Sequence, residues 1–223
     1  MTLVEGWTFA QLAELLQGNV VLEHRIDLSA PAHWQGLLSE LDIEHPEGWF
    51  LPETYQFTRG DSDLDILVRA HRSMRRALEQ GWQSRSEDLP LQSPYELLIL
   101  ASIVEKETAL DSERADVAGV FVRRLRKGMR LQTDPTVIYG LGESFDGDIR
   151  RRDLETDTPY NTYTRGGLPP TPIAMPGRAS LQAAARPADG ESLYFVADGK
   201  GGHTFSVTLE EHQAAVNKLL GRQ

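Results

Sequence analysis

The 223-residue chain contains no cysteine, which excludes disulfides and thiolate metal sites. Such a chain suits a periplasm and a cytosol equally well. No apolar run approaches the roughly 20 residues that span a bilayer, and no signal peptide is visible. Basic residues are outnumbered: 23 Lys and Arg stand against 33 Asp and Glu, for a net charge of −10. Phosphate binding needs a basic surface, so nucleic acid is not expected as a partner. The six histidines (His24, His33, His45, His71, His203 and His212) form no His-Glu-x-x-His motif and no close pair, so no metal is expected. A Gly-x-Ser-x-Gly elbow is missing. Gly199-x-Gly201-Gly202 follows a strand pattern without opening a helix, which makes it a turn rather than a phosphate cradle. No cofactor is expected.

What is present is ordinary for a globular protein, with 40% hydrophobic and 25% charged residues. Thr8-Phe9-Ala10-Gln11 reads as a capping box opening a helix that stops at Gly18. Val20 to Leu22 fits a short strand and Ala32 to Leu41 a second helix. Residues 46–60 are turn-rich and aromatic and read as an ordered connector. All four tryptophans (Trp7, Trp34, Trp49, Trp82) precede residue 83, consistent with core packing in a smaller N-terminal half. Asp65 to Gln80 is amphipathic, with Leu67, Ala70, Met74 and Ala77 inward. A further helix is capped by Ser112 and ends at Gly128. Residues 128–177 break the helical pattern, and five of the twelve prolines lie between Pro159 and Pro176. Long irregular segments of this kind are usually binding loops. Ser192–Ala197 and Thr204–Val207 read as a hairpin, and Thr208 caps a last helix with Val216, Leu219 and Leu220 inward. The expected class is α+β: a helical catalytic core with a β-hairpin and a long irregular substrate loop, plus a small N-terminal α/β subdomain. The expected division is 1–57 and 58–223.

The chemistry concentrates in one helix. Ser93-Pro94-Tyr95-Glu96 supplies an N-cap serine, a first-turn proline and a third-position glutamate. Leu97, Leu98, Ala101, Val104, Glu105 and Thr108 then follow a helical stripe. A carboxylate on that apolar stripe would have its charged form disfavoured and could donate a proton at neutral pH. Glutamate is seldom fully buried, so the pattern also allows Glu105 to be a solvated residue at a helix end. Glu107 is rotated by about 200° from Glu105 and is not expected to act beside it. Sugar recognition needs amides, hydroxyls and aromatic faces. Gln132, Thr133, Tyr139, Tyr160, Asn161 and Tyr163 supply them, although the tyrosines could serve loop packing and Asn161 could bond its own backbone. Asp134-Pro135 also forms a familiar turn pair.

Five blocks occur together and in order: Ala101-Ser-Ile-Val-Glu-Lys-Glu-Thr108, Arg126-Lys-Gly-Met-Arg-Leu-Gln-Thr-Asp-Pro-Thr-Val-Ile-Tyr-Gly140, Tyr160-Asn-Thr-Tyr163, Gly167-Leu-Pro-Pro170 and Tyr194-Phe-Val-Ala-Asp-Gly-Lys-Gly-Gly-His-Thr-Phe205. With Leu3-Val-Glu-Gly-Trp7 and Gly48-Trp-Phe-Leu-Pro-Glu-Thr-Tyr55, they resemble the YceG/MltG family of endolytic murein transglycosylases. The resemblance implies cleavage of the β-1,4 bond between N-acetylmuramic acid and N-acetylglucosamine inside peptidoglycan strands. The reaction uses no water and leaves a 1,6-anhydro end. It implies Glu105 as a single acid that then turns base, with Gln132, Thr133, Tyr139, Tyr160, Asn161 and Tyr163 in the saccharide cleft. Glu107 and His203 fall in matching blocks with no defined role. A hydrolysing muramidase would need a second carboxylate, for which Asp134 or Glu53 is the candidate, and a non-catalytic peptidoglycan-binding module is the other reading. Family members usually begin with a membrane helix and a LysM-like module. The resemblance therefore implies a parent anchored at the periplasmic face of the bacterial inner membrane, with residues 1–57 following that missing part. Glycan strands are the implied partner, with cell-wall synthases a possible second.

Overall fold

A computed structural model describes residues 1–221. The order of helices is α1 (Phe9–Gln17), α2 (Gln35–Leu41), α3 (Asp63–Gln83), α4 (Pro94–Glu107), α5 (Arg114–Arg126), α6 (Asp134–Leu141), α7 (Arg151–Glu155), α8 (Arg178–Ala185) and α9 (Leu209–Leu219). Strands β1 (Tyr194–Ala197) and β2 (His203–Ser206) lie between α8 and α9 and pair antiparallel, from Tyr194 opposite Ser206 to Ala197 opposite His203. The class is α+β. Among the described residues no helix is long and apolar enough to cross a membrane.

Local chemistry sets the starts of α1, α3, α4 and α9. Thr8, Ser62 and Thr208 each accept an N–H from the third helical residue, whose side chain bonds back to the cap. Ser93 accepts from the Glu96 N–H, and Pro94 occupies the first position of α4, where a missing N–H costs nothing.

Two apolar cores result. One gathers Leu97, Leu98, Leu100 and Val104 of α4 with Phe121 of α5, Leu181 of α8 and Met74 of α3. The other gathers Leu3, Phe9, Leu12, Leu37 and Phe50 with Ile66 and Leu67 of α3. Helix α3 therefore contributes its first half to one core and its second half to the other. The amino-terminal segment is sewn in by backbone bonds on both sides. Tyr55 N–H donates to Met1 O at 2.7 Å, Gly6 N–H to Met175 O at 2.9 Å, and Met175 N–H to Trp7 O at 2.8 Å.

Several expectations are corrected. Val20–Leu22 is a turn with Val20 95% exposed, not a strand; Glu23 instead makes an isolated bridge to Ser62. The run from Ala32 divides into a short 3-10 turn, Pro31–His33, and α2. Helix α5 begins at Arg114 with Glu113 at the cap position and no side-chain bond; Ser112 does not cap it. The segment 128–177 is not wholly irregular, since α6 and α7 lie within it. Pro135 stands in the first turn of α6, where proline continues a helix rather than breaking it. Helix α8, with Leu181 and Ala184 buried, has no counterpart in the sequence reading. At the end of α9 Val216 is half-buried, but Leu219 and the cap residue Leu220 are not inward, being 42% and 54% exposed.

The start of the turn entering α8 is held to α4 by a serine. Fully buried Ser102 donates to Ile99 O at 2.7 Å and accepts the Ile173 N–H at 3.0 Å. Ser102→Ala strands that buried N–H, so urea denaturation should show a loss of about 1–3 kcal/mol. An unchanged midpoint would mean that the 173–177 turn is held from elsewhere.

Candidate active site

Helix α4 is buried almost all round, from Leu97 to Val104. Its last turn emerges with two carboxylates on opposite faces, as the angle of about 200° between positions 105 and 107 requires.

Glu105 turns towards the amino-terminal segment. Its side chain is 6% exposed and faces the Arg114 guanidinium at 3.8 Å. It accepts the Gly177 N–H at 2.9 Å. Arg114 also pairs with Asp111. Glu5 lies on the other side of Gly177, so close that a Cβ there would collide with its carboxylate. Partial burial, and then the Glu105 charge, raise the Glu5 pKa. Glu105 thus has a cation, a backbone donor and a carboxylate neighbour. The expectation of an apolar, partnerless setting does not describe it.

Glu107, on the opposite face, also has polar neighbours but borders a cavity. Burial pushes its carboxyl up to about 6, against the opposing effects of Thr133, His203 and Arg124, and the Asp134 charge adds to the rise. Thr133 Oγ1 donates to it. It lines a cavity of about 160 Å³ with Gln132, Asp134, Tyr163, Arg124 and Phe195. Tyr163 donates its hydroxyl to Asp134 at 2.5 Å. Gln132 has φ of +50°, a left-handed backbone that costs a non-glycine residue roughly 1–2 kcal/mol. Tertiary bonds impose it: Gln132 N–H donates to Thr162 O at 3.2 Å and Thr133 N–H to Thr162 Oγ1 at 3.1 Å. On the hairpin side, His203 is fixed by Glu113, which accepts both its backbone N–H (3.0 Å) and a bond at Nδ1 (2.7 Å).

The six candidate cleft residues fall into three groups. Gln132, Thr133 and Tyr163 surround Glu107. Tyr139 and Tyr160 pack against each other, ring centroids 4.9 Å apart, away from that cavity. Tyr139 donates to Glu47 at 3.1 Å and Tyr160 bonds Thr171 at 2.9 Å. Asn161 is buried and spends its amide on the loop, donating to the carbonyls of Asp153, Leu154 and Thr156 and accepting the Tyr163 N–H. It shapes the site without facing it. Glu53, the other second-carboxylate candidate, pairs with Arg178 at 2.9 Å; Asp134 is beside Glu107.

The surroundings of Glu5, Glu47 and Glu107 escape a reading by period, because each depends on residues far along the chain. Glu47 is 3% exposed and accepts the Phe9 N–H at 2.9 Å as well as the Tyr139 hydroxyl. Burial raises its pKa to about 7.

Residues 1–218 match the sequence profile of the YceG-like family. The chain is 39% identical over 180 residues to a Bacillus subtilis (strain 168) protein named endolytic murein transglycosylase, covering 80% of this chain and 49% of that protein. A Streptococcus pneumoniae (serotype 2, strain D39) protein of the same name is 28% identical over 237 residues, covering 95% and 42%. The chain thus spans about half the length of the curated relatives it matches. The 2.6 Å crystal structure of a yceG-like protein from Listeria monocytogenes superposes with a TM-score of 0.79 at 33% identity, over 96% of this chain and 74% of that one.

The buried Glu47 predicts a pH-dependent stability. Folded Glu47 holds its proton more tightly than the unfolded chain. Its contribution to folding is therefore full below about pH 4.5 and lost as the pH rises through about 7. At about 1.4 kcal/mol per pKa unit the change amounts to a few kcal/mol. Glu47→Gln keeps an acceptor for Phe9 and Tyr139 but cannot titrate. Melting temperatures between about pH 5 and about pH 8 should fall more steeply in the wild type than in this variant; parallel curves would contradict it.

Proposed function

The chain belongs to the YceG-like family, and the family resemblance implies Glu105 as the acid; we propose that the chain carries the catalytic region of an endolytic murein transglycosylase and, on the setting of the two side chains and not on that resemblance, that Glu107 is its acid. The reaction is cleavage of the β-1,4 bond between N-acetylmuramic acid and N-acetylglucosamine within a peptidoglycan strand. The observation that carries the choice of acid is the setting of Glu107: a partly buried carboxyl, raised to about 6, at the wall of a cavity edged with amide and hydroxyl groups. A group that keeps its proton near neutrality can give it to a glycosidic oxygen.

In this reading Glu107 protonates the bridging oxygen as the bond to the anomeric carbon breaks. Positive charge develops at that carbon, and the neighbouring N-acetyl oxygen can shield it. Glu107, now a carboxylate, takes the proton of the muramoyl primary hydroxyl as that oxygen closes onto the anomeric carbon. The proton is returned, no water is consumed, and the product is a 1,6-anhydro end. Thr133 orients the Glu107 carboxyl, while Gln132 and Tyr163 offer an amide and a ring to the sugar. Glu105, bonded to Gly177 and facing Arg114, fastens the helix end to the amino-terminal segment. Murein lies outside the cytoplasmic membrane, so the domain works on that side, on glycan strands and beside the synthases that extend them.

Asp134 favours a second reading. A carboxylate beside the acid is what a hydrolase uses to activate water or trap the sugar. The products separate the two. Mass spectrometry of purified strands incubated with wild type should show internal 1,6-anhydro ends, whereas hydrated reducing ends would assign hydrolysis with Asp134 as partner. Glu107→Gln should lower the rate by about 10²-fold or more, and Glu105→Gln should retain most of it. Loss in Glu105→Gln with Glu107→Gln still active would return the acid's role to Glu105.

A further inference from the structure

A second cavity lies away from Glu107. It is a groove of about 770 Å³ running along α3, floored by Trp49, His71 and Trp82. It continues past Trp49 and His71 into a smaller hollow bounded by Asp42, Glu44 and Tyr95. Tyr95 opens α4 and Glu107 closes it, so groove and cavity lie at opposite ends of one helix, about 18 Å apart along its axis.

Three properties of this groove point to a ligand. Its two walls differ in charge. Arg72, Arg75 and Arg76, all exposed on α3, make one mainly basic, with Glu79 at its end; Glu40, Asp42 and Glu44, at the end of α2 and just beyond, form the other. None of these residues is in an ion pair among the described residues, so the charges are not spent on each other. The floor is aromatic: Trp49 stacks on His71 at 5.6 Å and on Tyr95 at 5.8 Å. Finally, His71 is 4% exposed, yet neither ring nitrogen has a hydrogen-bond partner. Buried polar groups are nearly always satisfied, and one that is not calls for an explanation. Burial, and then Arg75, lower the His71 pKa to about 4. The neutral ring therefore offers one donor and one acceptor.

We propose that this groove binds a short zwitterionic peptide, one carrying carboxylates and a free ammonium, of the kind borne as stems on peptidoglycan strands. This rests on murein as the substrate. The arginine wall takes the carboxylates, by bidentate bonds where geometry allows, and the acidic wall takes the ammonium. The aromatic floor covers the apolar stems of the side chains. The consequence is a second grip on the strand, remote from the bond being cut. It would bias cleavage towards strands that still carry peptides.

The test is isothermal titration with two probes: a purified disaccharide carrying a peptide stem with an unamidated diamino acid, and the same disaccharide after the peptide has been removed by an amidase. The stem-bearing probe should bind more tightly to wild type. Arg72→Glu/Arg75→Glu, a reversal of two exposed charges, should weaken it about tenfold or more, equivalent to roughly 1.4 kcal/mol. The same variant should cut peptide-free strands at the wild-type rate, since neither arginine touches the Glu107 cavity. Equal binding of both probes, or stem binding indifferent to the charge reversal, overturns the groove assignment alone, provided wild type cuts strands. If wild type neither binds the probes nor cuts strands, the murein reading falls as well.

Discussion

Eight consecutive residues of α4, Leu97 to Val104, are buried, and the rest of the structure is arranged around them. Helices α3, α5 and α8 pack against this one rod, and the turn entering α8 is tied to it through Ser102. Burying a large aliphatic side chain is worth about 1.5–3 kcal/mol, so the rod has little freedom to shift or turn. A rigid rod fixes whatever stands on its last turn. Two carboxylates stand there, and the helical repeat sends them to opposite sides.

Their different fates follow from what the chain brings up to each side. The amino-terminal segment, α5 and the turn before α8 deliver Glu5, Arg114 and Gly177 to Glu105. A carboxylate there is held by charge and hydrogen bond, as a fastening would be. The segment after α5 delivers Thr133, Gln132 and Asp134 to Glu107, and the hairpin closes from beyond with Phe195. Here the carboxyl is partly buried beside a cavity, and burial disfavours its charged form. The strained backbone at Gln132 belongs to this side, and such strain persists only where surrounding bonds impose it.

Much of this was legible beforehand where the cause is local. Caps at Thr8, Ser93 and Thr208, and the turn between β1 and β2, are written in neighbouring residues. Helix α6 was hidden because Asp134-Pro135 reads as a break, although proline in a first turn is not one. Helix α7 has only five residues, too few to show a period. The surroundings of the two glutamates were hidden for a deeper reason. Helix α4 is buried on every side from Leu97 to Val104, so the period cannot say which partners either glutamate meets. Thr133 and Gly177 lie 26 and 72 positions away along the chain. Asn161 was legible in its simpler role, as a residue bonding nearby backbone.

The account stands or falls on where Glu107 keeps its proton. Selective ¹³C labelling of glutamate, with the carboxyl signals followed by NMR through a pH titration and Glu107 assigned by its Gln variant, measures this directly. A midpoint near 6 is the predicted result. A midpoint at the ordinary glutamate value of about 4.3 would contradict it, because a carboxyl ionised at neutral pH cannot be the proton donor proposed here.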